Sequence, residues 1–169
     1  MIQKNNGKKS KRIGNDGYNG YSRRWKNISE YVHKFYNKVR GRKCLIMDTN
    51  GEYTGSQFQK NGIDNLNPRR IAVKDITDWS RTQGGECRRI DAKNIGLEQK
   101  IQIIEYVIEN FRNGMLVLED INTYILNVTH LKEIVSGLVN LRHRAVDVLI
   151  SYQSARAVEP RIWQNARWV

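Results

Sequence analysis

The sequence predicts an α/β fold, a three-layer sandwich in which helices cover both faces of a mostly parallel sheet. Three short apolar segments have the pattern of strands: Lys43–Asp48, Met115–Leu118 and Val146–Tyr152. Because these segments are apolar at consecutive positions, both of their faces should be buried. Helical patterns separate them, and strands that alternate with helices are typical of parallel sheets covered on both sides.

The helices are predicted from apolar residues spaced three or four apart. A first helix is expected over 23–39 and should end before Gly41. The clearest helix runs from Leu97 to Phe111 and carries a single apolar stripe. A further amphipathic helix is expected over 131–141, and Glu159-Pro160 opens a last short one.

The remaining segments have weaker patterns. Ile71–Ile76 and Arg88–Ala92 are strand candidates on either side of a loop over 80–86. The stretch 54–68 is polar and rich in Gly and Asn, so we expect a loop there. Ala166–Val169 has the pattern of a strand that the sequence does not complete.

Charge divides the chain into two parts. Of the net charge of +12, nearly all falls in residues 1–43, which hold thirteen Lys and Arg against two acids. The rest holds 16 Lys and Arg against 15 acids. A localised basic segment is a candidate contact for nucleic-acid phosphates, and a solvated tail is the alternative. We therefore distinguish a basic, Gly/Asn-rich segment, 1–22, from a core domain, 23–169.

Several classes of protein are disfavoured. No apolar run approaches the roughly 18 residues of a membrane span, and the start MIQKNNGKKSKR lacks the apolar region of a secretory signal. Cys44 and Cys87 form no CxxC or Cys/His set, which argues against zinc. We expect a reduced, cytoplasmic protein without a membrane span, located in the host cytoplasm if the chain is viral.

Polar residues follow the predicted strands at Asp48, Glu119, Asp120 and Gln153. In parallel sheets the carboxyl ends of the strands share one edge, where ligands bind. An apolar strand closed by two acids is the pattern of a Walker B site, where carboxylates hold Mg²⁺ and orient the attacking water. Glu119 is assigned to the metal and Asp120 to the water, which reverses the usual Asp-Glu order. The alternative is that the acids only favour the dipole of a following helix.

Three blocks resemble the FtsK–HerA superfamily of DNA-translocating ATPases. KCLIMDTNGEY is similar to its second core strand, FRNGMLVLEDI to its Walker B strand, and LISYQSARAVEPRIWQNAR to its fourth strand with a polar sensor. The resemblance implies a RecA-like P-loop NTPase sheet that binds ATP and Mg²⁺. The strand patterns at both ends of this sheet are incomplete here, as expected for a fragment, a divergent member or a remnant. By this resemblance Glu119 is the metal carboxylate, Asp120 the catalytic carboxylate and Gln153 the γ-phosphate sensor.

The phosphate-binding loop departs from the family pattern. A Walker A loop, GxxxxGK[ST], should precede the helix that leads into KCLIMD. The segment 14–22 lies at that position, and its predicted nucleotide contacts are Gly14, Gly17, Gly20, Tyr21 and Ser22. Ser22 is also predicted to bind Mg²⁺. Tyr21 replaces the lysine, and the spacing is one residue longer. The segment 7–10 is the alternative, but its helix would include three glycines at ~1 kcal/mol each. A Gly/Asn-rich loop without a ligand is the third reading.

Two main functions are compatible with these observations. The first is an ATP-dependent DNA translocase or genome-packaging ATPase that hydrolyses ATP with Mg²⁺ as a homo-oligomeric ring. In such rings an arginine of one subunit contacts the γ-phosphate of the nucleotide bound to the next subunit. The candidates are Arg142, Arg144, Arg156 and Arg161. The second is a non-hydrolysing, ATPase-like module that binds DNA through its basic N-terminal segment. An unrelated doubly wound domain with a chance acid pair is a third possibility.

Overall fold

The computed structural model describes residues 32–33, 42–125, 127–151 and 160–165. Its five strands form one parallel sheet in the order β2-β3-β1-β4-β5. The strands are β1 (Lys43–Asp48), β2 (Arg69–Arg70), β3 (Cys87–Asp91), β4 (Gly114–Leu118) and β5 (Val146–Ile150). The predicted α/β class with a parallel sheet is confirmed.

The described residues form five helices between or after these strands: α1 (Gly55–Lys60), α2 (Ile76–Arg81), α3 (Leu97–Asn110), α4 (Val128–Asn140) and α5 (Pro160–Asn165). Side chains cap two of them, because the Thr54 hydroxyl accepts from the amide of Gln57 and the Asn127 side chain accepts from that of His130. Short 3₁₀ turns cover Val73–Asp75, Ile121–Tyr124 and Leu141–Arg144.

Side chains from alternate positions of the strands pack on opposite faces of the sheet. On one face, Leu45 of β1 and Leu116 of β4 pack with α2, α3 and α4. On the other, Ile46 and Val117 pack with Phe58 of α1 and with other buried residues, among them Val32 and Tyr53. We call these the α3 face and the α1 face. Cover on both faces gives the three layers of the sandwich.

β4 begins at a glycine because the chain is crowded there. A Cβ atom on Gly114 would lie 2.6 Å from the carbonyl oxygen of Lys43 and 2.6 Å from Cζ of Phe111. The close approach lets β4 pair with β1 from its first residue, Gly114 opposite Lys43.

Most of the elements predicted with a clear pattern are present, but two weaker predictions are wrong. The expected loop 54–68 contains α1, which the Thr54 cap starts and Phe58 anchors in the core. The expected strand Ile71–Ile76 is instead a 3₁₀ turn leading into α2. There Ile76, with Trp79 and Ser80, is buried at helical spacing.

Other predictions lie outside the described residues. They concern the segment 1–22, most of the helix 23–39 and the strand 166–169. Within the described ranges, none of the helices has both the length and the apolar character needed to cross a membrane.

Candidate functional site

Asp48 and Glu119 lie side by side at the carboxyl edge of the sheet. β1 and β4 are paired up to Met47 opposite Leu118, so the next residues, Asp48 and Glu119, reach the edge of the sheet at the same level. The alternation of each strand places both acids on the α1 face. The structure thus brings together two of the residues that the sequence assigned to one crevice.

The carboxylate of Asp48 has a structural task. It is fully buried. Its Oδ1 accepts from the amides of Gly51 at 2.8 Å and Glu52 at 2.9 Å. Its Oδ2 accepts from the amide of Tyr53 at 3.3 Å and from the Arg89 guanidinium at 3.0 Å. These bonds occupy both oxygens and fix the turn that follows β1.

Two buried tyrosines lie beside the acids. Tyr53 belongs to the turn itself, and Tyr124 belongs to the 3₁₀ turn after β4; both are completely buried. Burial is the largest cause that raises the pKa of each hydroxyl, and the carboxylate of Glu119 raises both further. Neither tyrosine was among the predicted site residues, although Tyr53 stands in the Gly-Glu-Tyr turn that carried part of the resemblance.

Glu119 is the most perturbed acid at this edge. The residue is 6% exposed. Its pKa is raised to about 8, first by burial and then by the charges of Glu52, Asp48 and Asp120, while a hydrogen bond from Asn50 acts in the opposite direction. Its Oε2 is buried and makes no hydrogen bond to any described residue. The site therefore disfavours an ionised Glu119 unless positive charge enters it.

Asp120 lies in a turn rather than in a strand. Its φ of 54° is in the left-handed region, which a non-glycine residue seldom adopts. Its amide donates to the hydroxyl of Ser151 at 3.0 Å, and its carbonyl accepts from the amide of Thr123 at 2.8 Å. The amide of Ser151 donates to the carbonyl of Leu118 at 3.0 Å. Ser151 therefore ties the end of β5 to the acid pair.

Ser151 was not among the predicted residues. The only sequence signal for it is its position directly after the apolar segment of β5, level with the acids that follow β4. Since β5 pairs with β4 up to Ile150 opposite Leu118, the first polar residue beyond that pair reaches the acid turn.

Two of the four candidate arginines lie at the opposite edge of the sheet. Arg142 and Arg144 belong to the 3₁₀ turn that precedes β5. Arg144 donates to the carbonyls of Ile108 and Glu109, so its guanidinium satisfies the end of α3. Arg142 is exposed. Arg161 is in α5, and Arg156 lies outside the described residues.

The predicted phosphate loop also lies outside the described residues, as does the predicted sensor; these are Gly14, Gly17, Gly20, Tyr21, Ser22 and Gln153. The strand that leads towards Gln153 is β5, which is the direct neighbour of β4.

The described acids do not form a metal cage. Across residues 42–125, 127–151 and the other described ranges, no three His, Cys, Asp or Glu side chains are grouped so as to hold a metal ion. Mg²⁺ usually keeps several waters and takes one or two carboxylates together with substrate phosphates. The buried Oε2 of Glu119 fits that single contact, because it has no hydrogen bond to a described residue and lies among like charges.

Comparison with known proteins returns no family model and no curated protein that matches this chain.

We predict that the Asp48–Arg89 pair is a major source of stability. Asp48→Asn removes the partner of the buried Arg89 at 3.0 Å and leaves only the longer ion pair with Asp91 at 3.7 Å; losing one partner of a buried pair costs about 3–5 kcal/mol. Urea unfolding should show this loss, whereas Asp64→Asn, at an exposed position, should change stability by less than about 0.5 kcal/mol. The double variant Asp48→Asn/Arg89→Met should lose less than the two single changes combined. Strict additivity would contradict the pairing.

We also predict an unusual dependence of stability on pH. The raised pKa keeps Glu119 protonated in the folded chain up to about pH 8, whereas its ordinary value is 4.5. Between these values the folded state binds more protons, so stability should fall with rising pH by up to about 1.4 kcal/mol per pH unit. Glu119→Gln removes this slope.

The measurement is the free energy of unfolding from pH 5 to 9 for the wild type, Glu119→Gln and, as control, Glu133→Gln at an exposed position of α4. The advantage of Glu119→Gln over the wild type should grow as the pH rises and level off above about pH 8. Parallel curves for all three proteins would show that Glu119 is not perturbed.

Proposed function

We propose that this protein is an ATP-dependent DNA translocase or genome-packaging ATPase that hydrolyses ATP with Mg²⁺. The observation that carries the proposal is the carboxylate of Glu119, buried at the end of the strand next to β1, with one oxygen unbonded to any described residue. A buried acid among other acids is suited to a site that receives a cation. The resemblance of three sequence blocks to the FtsK–HerA superfamily supports the same assignment.

The site suits a nucleotide with its Mg²⁺. When bound, the nucleotide would supply the phosphoryl group and Mg²⁺ would neutralise the charge of the phosphates. Glu119 would hold the metal's water shell. Its proton should leave as positive charge approaches, because a nearby cation favours the ionised carboxyl. Ser22 of the proposed phosphate loop would be the second metal contact, and Gln153 would sense the γ-phosphate.

Asp120 would orient the attacking water. Its backbone is fixed by the hydroxyl of Ser151 and by Thr123, so the carboxylate is attached to a constrained turn. The buried rings of Tyr53 and Tyr124 lie beside Glu119 and reduce the access of bulk water to it. The active form would be a homo-oligomeric ring in the cytoplasm, with DNA as the moving partner.

A second candidate is a non-hydrolysing, ATPase-like module that binds DNA. Tyr21 favours it, because the residue at the position of the Walker A lysine offers no positive charge to the β- and γ-phosphates. The shorter side chain of Asp120, second in the acid pair, favours slow hydrolysis as well. The two candidates differ in catalysis and share the DNA partner.

We predict Mg²⁺-dependent ATP hydrolysis that depends on both acids. Asp120→Asn should lower kcat by about 10²–10⁴-fold, the range for a positioned proton acceptor. Glu119→Gln should also lower the Mg²⁺-dependent rate sharply, because it removes the carboxylate that holds the metal's water shell. Nucleotide binding should persist in both variants, since neither change removes a contact of the phosphate loop. Steady-state phosphate release and binding of a fluorescent ATP analogue measure the two effects.

Glu133→Gln and Asp64→Asn are the matched controls, because both residues are exposed and lie outside the site. Their kcat should equal that of the wild type. Hydrolysis that survives both changes at Glu119 and Asp120 would contradict the proposal. Nucleotide binding without any hydrolysis in the wild type would favour the second candidate.

A further inference from the structure

The edge of the sheet opposite the acids is basic. In a parallel sheet the segments that precede the strands converge on one edge, and each of four such segments brings at least one cation there. We call this the amino edge and define it by six residues: Arg42, Lys43, Arg81, Arg112, Arg142 and Arg144.

Hydrogen bonds tie the segments of the amino edge together. Arg42, just before β1, donates to Asp147 at 2.8 Å and to the carbonyl of Gly114 at 2.9 Å. The amide of Asn113 donates to the carbonyl of Arg144 at 2.9 Å. On the other side, the ammonium of Lys43 donates to the carbonyls of residues 82 and 84, in the segment before β3. The cations therefore project from a connected surface.

Three cations of this edge are in excess. Arg81, Arg112 and Arg142 are exposed and form no ion pair with a described residue. Two nearby acids are already paired, since Asp147 binds Arg42 and Glu86 binds Arg88. Glu109, exposed at the end of α3, forms no ion pair with a described residue and offsets a single positive charge. Positive charge on this surface is thus not fully neutralised by the described part of the chain.

A polar cavity of about 350 Å³ opens at the same edge. Its walls include Lys43, Arg81, the segment 82–84 and Asn113. Burial lowers the pKa of Lys43, whereas the charge of Glu86 raises it. Cations and amides around a polar recess are the groups that contact phosphate oxygens.

The amino edge is unsuited to an apolar protein partner. Among the described residues, the one exposed large hydrophobic side chain is Leu97, which begins α3 rather than lying on this edge. Stable protein interfaces usually centre on buried aromatic or aliphatic anchors. Arginines, by contrast, match the planar, paired oxygens of phosphodiesters. The opposite edge carries Glu52, Glu119 and Asp120 and would repel a polyanion.

We propose that the amino edge binds the phosphodiester backbone of duplex DNA through Arg81, Arg112 and Arg142. The inference rests on the proposed function in taking DNA as the polyanion, and it assigns that partner to a surface of the core domain. Strands of five or six residues separate the two edges by roughly 15 Å. A nucleotide and DNA therefore bind on opposite edges of one sheet without competing.

The test measures the affinity of the full chain for a fluorescent 20-base-pair DNA duplex over a series of salt concentrations. The triple variant Arg81→Gln/Arg112→Gln/Arg142→Gln should bind at least about thirtyfold more weakly at 0.1 M salt. The slope of log K against log salt should become shallower by about 2.7, since each lost phosphate contact contributes roughly 0.9.

The matched control is Lys74→Gln/Lys93→Gln/Lys132→Gln, which removes the same charge at exposed positions in segments that follow the carboxyl ends of strands. It should weaken binding less than threefold. Equal losses in the two triple variants would overturn the proposal, because binding would then depend on net charge alone. Tighter binding to an RNA duplex than to the DNA duplex would also overturn the proposal. The same holds if polyglutamate displaces the labelled duplex as effectively as unlabelled DNA does.

Nucleotide binding and thermal melting of the same proteins separate this proposal from the proposed function. The amino-edge variant should fold normally, and the double variant Arg81→Gln/Arg112→Gln, which leaves the candidate arginine Arg142 in place, should keep wild-type nucleotide affinity. DNA binding lost only in the amino-edge variant supports the DNA surface even if the chain hydrolyses no ATP. A wild-type chain that hydrolyses ATP but does not bind the duplex would overturn the DNA surface and leave the nucleotide site standing.

Discussion

The described site depends on how the protein accommodates the buried carboxylate of Asp48. A buried charge is costly unless it is paired and hydrogen-bonded, and here three backbone amides and Arg89 satisfy it. These bonds force the chain to turn tightly after β1. The turn then places Glu52 and Tyr53 against Glu119 at the end of β4. The structural role of Asp48 thereby determines which groups surround Glu119, the acid used in the proposed chemistry.

The parallel sheet separates charge along its strands. Acids collect where strands end and cations collect where strands begin, so the two edges attract different ligands. At the acidic edge the charges of neighbouring carboxylates add to burial and raise the pKa of Glu119 to about 8. At the amino edge Arg81 and Arg112 are exposed and form no ion pair with a described residue. One fold thus offers a cation-accepting crevice and a polyanion-accepting surface.

Sequence patterns predicted the strands that build the site, because β1 and β4 are buried on both faces and their apolar runs are unbroken. The rule that parallel strands end at one edge also predicted that Asp48 and Glu119 lie together. The patterns did not reveal α1, because its segment has few apolar residues and Thr54 and Phe58 alone define it. They also did not reveal Arg89 or Ser151, since such partners depend on strand order, which local patterns do not specify.

The most direct test of the account is a ¹³C NMR titration of the Glu119 carboxyl in the full chain, with and without Mg²⁺ and a non-hydrolysable ATP analogue. In the free protein the carboxyl should titrate with a pKa of about 8. With the analogue and Mg²⁺ the pKa should fall by about 1–3 pH units, as a nearby opposite charge requires. A pKa close to 4.5 in the free protein, or one that the nucleotide and Mg²⁺ leave unchanged, would contradict a cation-accepting site at Glu119.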